Sequence, residues 1–278
     1  MNDLFLNTQS VQATMLLPLW GRAKYSVENR NILDDREAEQ IIKTCGYDFT
    51  EVAKTFGEFG GICYIVRARK FDDAIRKFIE KHPYATVVNI GAGLDTTFSR
   101  VDNGSIRWYN LDLPGSITFR KTFLPDSSRN TCIAKSFLDP SWFDEVAFKP
   151  DSGILFISGG VFYYFHDKEL QPLFQAMAEH FPGGELCFDA ESRMALNVSN
   201  RMVRKSGNQS AMMYFSVGNA KDLEKWSPQI RLVSGEPLFQ GIAVAKHWSF
   251  PVRLNVRFLR HSKMMQFVNL RFSFSRSA

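Results

Sequence analysis

The residues best placed to do chemistry cluster around one turn. Gly91-Ala92-Gly93 is followed after Leu94 by Asp95, and a second acid, Asp112, comes about 20 residues after the turn begins, the separation at which an acid reaches a ribose in nucleotide folds. Gly91 lets the backbone turn sharply, and the bare backbone of Gly93 lets a ligand lie against the main chain. A dinucleotide turn carries a third glycine under its pyrophosphate. Here that place belongs to Thr96, and Asp95 would repel a pyrophosphate. An acid at that point suits a ligand carrying a cationic amine and a sulfonium, and S-adenosylmethionine has both. Asp112 would accept hydrogen bonds from its ribose hydroxyls, with Leu113 beside it. A turn-glycine pair and a helix-capping Asp ahead of Pro114 is the plain structural alternative.

These groups need a sheet edge to hold them. Ala85 to Ile90 is apolar and β-branched and predicts a buried strand, and Ile106 to Leu111 predicts the next, ending at Asp112. Thr131 to Ala134, Gly153 to Ser158 and Glu185 to Phe188 predict three more, with a helix through Leu170, Leu173, Phe174, Met177 and Ala178 between the last two. Strand and helix alternating in this way predict a parallel sheet with helices on both faces. The carboxyl edge then gathers Ser136 and Phe137 near an adenine, Gly159 after the fourth strand, and Tyr163 and Tyr164 where a reacting group would lie. A long helix from Gly60 to Lys81 carries Arg67 and Arg69, either of which would grip a cofactor carboxylate bidentately.

The flanking segments complete the picture. Residues 1–60 predict a helical layer, with Asp34-Asp35 capping a helix that runs to Gly46 and with Arg22 and Lys24 close together. Residues 191–219, polar and methionine-rich, predict an insertion over the site. Residues 220–278 finish the sheet, with Val252, Leu254, Val256 and Phe258 alternating as in a strand, a helix being the alternative. The chain of 278 residues, 45% hydrophobic and 23% charged, has the composition of a globular domain. It has neither an apolar run of membrane-span length nor a leader-like start, so a soluble, cytoplasmic protein without a membrane partner is expected. Cys45, Cys63, Cys132 and Cys187 form no C-x-x-C and join no histidine cluster, which points to reduced core thiols and no metal site. The net charge of +5 resides in the tail: beyond Glu236 there is no acid, while seven Lys and Arg residues follow. No stacking aromatics are interleaved with them in a nucleic-acid motif, so no nucleic-acid partner is expected.

The strings Val87-Val-Asn-Ile-Gly-Ala-Gly-Leu-Asp-Thr-Thr-Phe-Ser-Arg100, Leu111-Asp-Leu-Pro114, Ser136-Phe-Leu-Asp-Pro-Ser-Trp142 and Phe181-Pro-Gly-Gly-Glu-Leu186 resemble the leucine carboxyl methyltransferase family, in its bacterial, tetracenomycin-type polyketide branch. The resemblance implies a class I S-adenosylmethionine-dependent methyltransferase fold, α/β and Rossmann-like, with an N-terminal helical cap (1–60), a cofactor core (61–190), a lid (191–219) and a C-terminal completion (220–278) in a single domain. It assigns Arg67 to the cofactor carboxylate, Gly91 to the turn, Asp112 to the ribose, Lys24 to the basic N-terminal position and Ser136-Phe137 to the adenine loop. Where the family has Glu-Gly-Val this chain has Gly159-Gly160-Val161, a departure that bears on the cofactor's methionine end. The implied reaction is methyl ester formation on a small-molecule, polyketide-like carboxylic acid, with Arg22, Tyr163 and Tyr164 orienting the acceptor. A carboxylate is already ionised at neutral pH and needs no base. Methylation of a hydroxyl or phenol needs one, and His166 is the candidate. A cofactor-binding interaction protein is the third reading. The sequence is silent on oligomeric state.

Overall fold

The structure, a computed structural model, describes residues 11–50, 57–206 and 211–274. Seven strands form one sheet in the order β3-β2-β1-β4-β5-β7-β6: β1 Thr86–Ile90, β2 Arg107–Asp112, β3 Asn130–Ala134, β4 Ile154–Ser158, β5 Glu185–Glu191, β6 Ile230–Pro237 and β7 Met265–Phe272. The first five pair in parallel, while β7 runs antiparallel to both β5 and β6. β1 and β4 are buried at every position, which explains why they read as continuous apolar runs instead of alternating ones. Each fully buried Val, Leu or Ile there contributes roughly 1.5–3 kcal/mol.

Helices cover both faces. One side holds α3 (Glu58–Lys81), whose Ile62, Ile65, Phe71 and Ile75 pack against Val87 and Leu155. The other side holds α6 (Asp167–His180), with Leu170, Phe174 and Met177 against Phe156 and Phe188. Between them in the chain come two short helices, α4 (Thr97–Val101) and α5 (Pro114–Lys121). At the N-terminal side, α1 (Val11–Ser26) continues through Pro18, and α2 (Arg36–Thr44) is capped by Asp35, as the sequence predicts.

In one stretch the helical alternative holds, and in another the structure fills in the expected insertion. Val252 to Phe258 belongs to a helix, α8 (Phe250–Leu259), and not to a strand. Val252, Val256 and Leu259, spaced at a helical period, face the core while Leu254 and Phe258 face out, and Pro251 in the first turn suits a helix start. Within 191–219, residues Arg193–Ser206 form a helix, α7. No described helix is long and apolar enough to cross a membrane.

Candidate active site

A cleft of about 820 Å³ opens along the carboxyl edge of β1, β2 and β4. Its floor is the glycine turn. Gly91 has φ +67°, and a Cβ there would sit 2.3 Å from Val161 Cγ2, so both the backbone and the space require glycine. The turn is held from behind by Arg120 and Arg100, which the sequence did not single out, and by Arg22 and Asp35, which it read as an acceptor-orienting cation and a helix cap. Arg120, buried on α5, donates to the carbonyls of Gly93 (2.9 Å) and Asp95 (2.8 Å). Arg22 donates to the carbonyl of Leu94 (3.0 Å) and to Asp35 Oδ2 (2.9 Å). Asp35, fully buried, also meets Arg100 (3.0 Å) and the hydroxyl of Thr96, 2.8 Å from both of its oxygens. Burial pushes the Asp35 carboxyl up, but Arg100, Arg22 and Thr96 outweigh it and hold the group below the ordinary carboxylate range. A buried ion-pair network thus joins the N-terminal layer to the residues just after the G-x-G. Nothing in the spacing of Asp35, Arg100 and Arg120 signals this, because they meet only when three helices pack.

The predicted ribose acid stands at the end of β2, where its strand delivers it. Asp112 Oδ2 accepts the Gly93 N–H (2.8 Å) and Oδ1 accepts the Leu113 N–H (2.7 Å), which fixes the carboxylate at the cleft wall. Asp95 accepts from Asn89 Nδ2 (2.8 Å) and from the Thr97 hydroxyl (2.9 Å). Ala92, Leu113, Ser136, Phe137 and Gly159 also line the cleft. The Phe137 ring packs edge-on to Phe165 with centroids 4.8 Å apart. A Cβ at Gly159 would press on Phe71 at 3.1 Å, so the position where the family carries Glu is crowded by that ring.

Arg67 reaches the cleft from α3 with Tyr64 beside it, its guanidinium 5.0 Å from the Tyr64 ring centroid. Behind it lies Asp189 at the end of β5. That carboxylate takes Arg67 Nη1 (3.3 Å), the Tyr163 hydroxyl (3.0 Å) and the Gly160 N–H (2.7 Å). Burial works against the Arg67 charge, but Asp189, Tyr64 and Tyr163 more than offset it and hold the guanidinium protonated. Burial, aided by Asp189, pushes the Tyr163 phenol well up, and burial pushes that of Tyr64 to about 12.

The structure brings together Arg22, Arg67, Gly91, Ala92, Gly93, Asp95, Asp112, Leu113, Ser136, Phe137, Gly159 and Tyr164 along one cleft. It leaves three expected residues outside the lining. Lys24 is exposed and rests over the Trp20 ring (4.9 Å). Tyr163 is buried beneath the floor on Asp189, so its hydroxyl faces a carboxylate instead of an acceptor. His166 is exposed and stacks on Tyr214, ring centroids 4.2 Å apart. Residues 191–219 contribute Val203, Ala211 and Met213 to the wall, while Arg193 faces solvent. The side chain of Lys205 and residue Arg276 lie outside the described residues.

The donor set fits S-adenosylmethionine. Asp112 could take the ribose hydroxyls, the charged Arg67 the amino-acid carboxylate, and Leu113 with Phe137 the base; all four lie along one cleft within the size range of small-ligand sites. No group of His, Cys, Asp or Glu capable of holding a metal ion occurs among the described residues.

Comparison with known proteins points the same way. The sequence profile of the family described as leucine carboxyl methyltransferase matches residues 16–178. The tetracenomycin polyketide synthesis O-methyltransferase TcmP of Streptomyces glaucescens is 26% identical over 224 residues, covering 80% of each chain. The S-adenosyl-L-methionine-dependent methyltransferase dpfgK of Gibberella zeae is 25% identical over 218 residues, covering 71% of this chain and 73% of its own. Among solved structures, a DUF574 family protein of Streptomyces avermitilis matches with TM-score 0.58 at 12% identity over 80% of this chain and 88% of its own. A SAM-dependent methyltransferase of Anabaena variabilis matches with TM-score 0.52 at 11% identity over 74% and 85%. At such identities these structures speak for the fold alone.

Proposed function

The chain belongs to the leucine carboxyl methyltransferase family and is an S-adenosylmethionine-dependent methyltransferase; from that premise we propose that it forms methyl esters on the carboxylate of an apolar, polyketide-like small-molecule acid. When bound, the cofactor supplies a methyl group on a sulfonium, open to in-line displacement by an acceptor oxygen.

The observation that carries the reading is what the cleft offers that oxygen. Among the described residues its lining holds arginines, tyrosines, Lys135 and the two aspartates already engaged by N–H and O–H donors, and no histidine or glutamate. The Tyr64 phenol, at about 12, does not act as a base near neutrality. A nucleophile that arrives ionised needs no base, and a carboxylate does so. The chain's own work is then to hold reactants in place, which at best is worth about 7–11 kcal/mol. Arg67, locked by Asp189, fixes one end of the cofactor, Asp112 fixes the ribose, and Arg22, paired with Asp35, forms part of the N-terminal wall. The apolar Met15, Leu17, Pro18, Phe165, Val203 and Met213 accept a hydrophobic acceptor body. The printed name of the Streptomyces relative ties that protein to polyketide synthesis, and we extend the substrate class to this chain on that basis. A cytoplasmic setting accords with the free cysteines.

The test is incubation with S-adenosylmethionine and a panel of aromatic and polyketide-like acids, with products followed by mass spectrometry before and after mild alkali. A methyl ester releases methanol under alkali and an aryl ether does not. Alkali-stable products would refute ester formation and favour methylation of a phenol.

A further inference from the structure

α8 carries an outward face that its own fold leaves uncovered. Phe250, Leu254 and Phe258 repeat every fourth residue and are 66%, 55% and 60% exposed. Single exposed apolar residues are ordinary, but three in one row on one helix form a stripe. The opposite face, Val252, Val256 and Leu259, is buried in the core cluster that includes α3, so the helix is anchored by one side while it presents the other.

The charges beside the stripe are of one sign. Arg253 lies over the Phe250 ring (5.9 Å), and Arg257 and Arg260 follow on the same flank. Lys246 and Lys263 are exposed just before and just after the helix. Among the described residues, Lys246, Arg257, Arg260 and Lys263 form no ion pair, and no acid exists anywhere beyond Glu236 to neutralise them. The acid met at this helix is Glu58, which accepts the Ser249 N–H at its first turn (3.2 Å).

We propose that this face docks the protein on an anionic membrane surface, with Phe250, Leu254 and Phe258 entering the headgroup region and the flanking Lys and Arg residues resting on phosphate. An apolar stripe bordered by cations is the arrangement that binds at a bilayer interface, and anionic lipid attracts such cations over a Debye length. A symmetric pairing with a second copy is disfavoured by charge, since it would set Arg253, Arg257 and Arg260 against their own counterparts. The contact needs no transmembrane segment, and it is independent of the methyl acceptor.

The experiment is co-sedimentation of the full chain with vesicles of phosphatidylcholine alone and of phosphatidylcholine with phosphatidylglycerol. Binding to the anionic vesicles is expected to exceed that to neutral ones by about tenfold or more. It should fall about tenfold in Phe250→Ser/Leu254→Ser/Phe258→Ser and in Arg257→Glu/Lys263→Glu, while both variants, altered away from the cleft, retain S-adenosylmethionine binding by calorimetry. Equal binding to the two vesicle types, or undiminished binding by the variants, would overturn the proposal. So would a wild-type dimer that the triple variant dissociates without any vesicle binding, or capture of polyglutamate in place of vesicles, which would assign the face to an acidic polypeptide.

Discussion

Replacing Asp35 by alanine is predicted to cost about as much as removing a large core residue, although Asp35 touches neither substrate nor cofactor. Its carboxylate is fully buried and meets Arg22, Arg100, the Thr96 hydroxyl and the Ala38 N–H. Removing one partner of a buried pair leaves an uncompensated charge and costs about 3–5 kcal/mol. Arg100 keeps Asp72 and the hydroxyls of Thr96 and Thr97, so the main orphan is Arg22, which retains only the Leu94 carbonyl. That favours the lower end of the range, about 3 kcal/mol, and the lost helix cap adds about 1 kcal/mol. The total, about 4 kcal/mol, corresponds to a drop in Tm of about 8 °C or more for a domain of this size. Asp34→Ala is the control: its pairs with Arg30 and Arg36 are exposed, and the loss should stay below about 1 kcal/mol. Because the folded Asp35 pKa is depressed, its contribution is fully present above the unfolded value of about 3.9 and is lost as pH falls through the folded value. Wild type and Asp35→Ala should therefore converge in stability in that acid window. Thermal and urea unfolding read the result. An Asp35→Ala protein within about 1 kcal/mol of wild type at pH 7, or no better separated from Asp34→Ala, would refute the claim that this network clamps the N-terminal layer to the glycine turn.

Further outcomes follow from the same geometry. Asp112→Ala should weaken S-adenosylmethionine binding by about tenfold to a hundredfold in calorimetry, the scale of lost hydrogen bonds to a charged group. Gly91→Ala should destabilise the fold by about 2 kcal/mol or more and abolish cofactor binding, since the new Cβ meets Val161 at 2.3 Å in a backbone at φ +67°. Methyl transfer to the preferred acid should vary by less than about twofold between pH 6 and 9, as no base titrates in the step; a limb with a midpoint near about 6.5 would point to a histidine and to hydroxyl methylation. The Cys63 and Cys132 thiols, pushed by burial to about 12 and about 11, should react slowly with a disulfide reagent at pH 8 in the native protein and fully once it is unfolded.

The sequence by itself determined the cofactor half of the molecule. The strand from Ala85 to Ile90, the glycine turn and the strand-terminal Asp112 are local in the chain: backbone conformation, continuous apolar burial and the end of a strand each leave a mark within a few residues. The structure adds what no local pattern encodes. Asp35 and Arg100 pair beside the turn and Arg120 holds its carbonyls because α2, α4 and α5 pack there. Asp189 holds Arg67 across more than a hundred residues of chain, and Tyr163, though adjacent to Tyr164, points beneath the floor while Tyr164 lines the cleft. The stretch from Val252 to Phe258 alternates as a strand would, yet it is helical because the spacing of Val256 and Leu259 from Val252 matches the core side of a helix. Which side of an ambiguous period is buried, and which distant charges become partners, are decided only when the elements pack against one another.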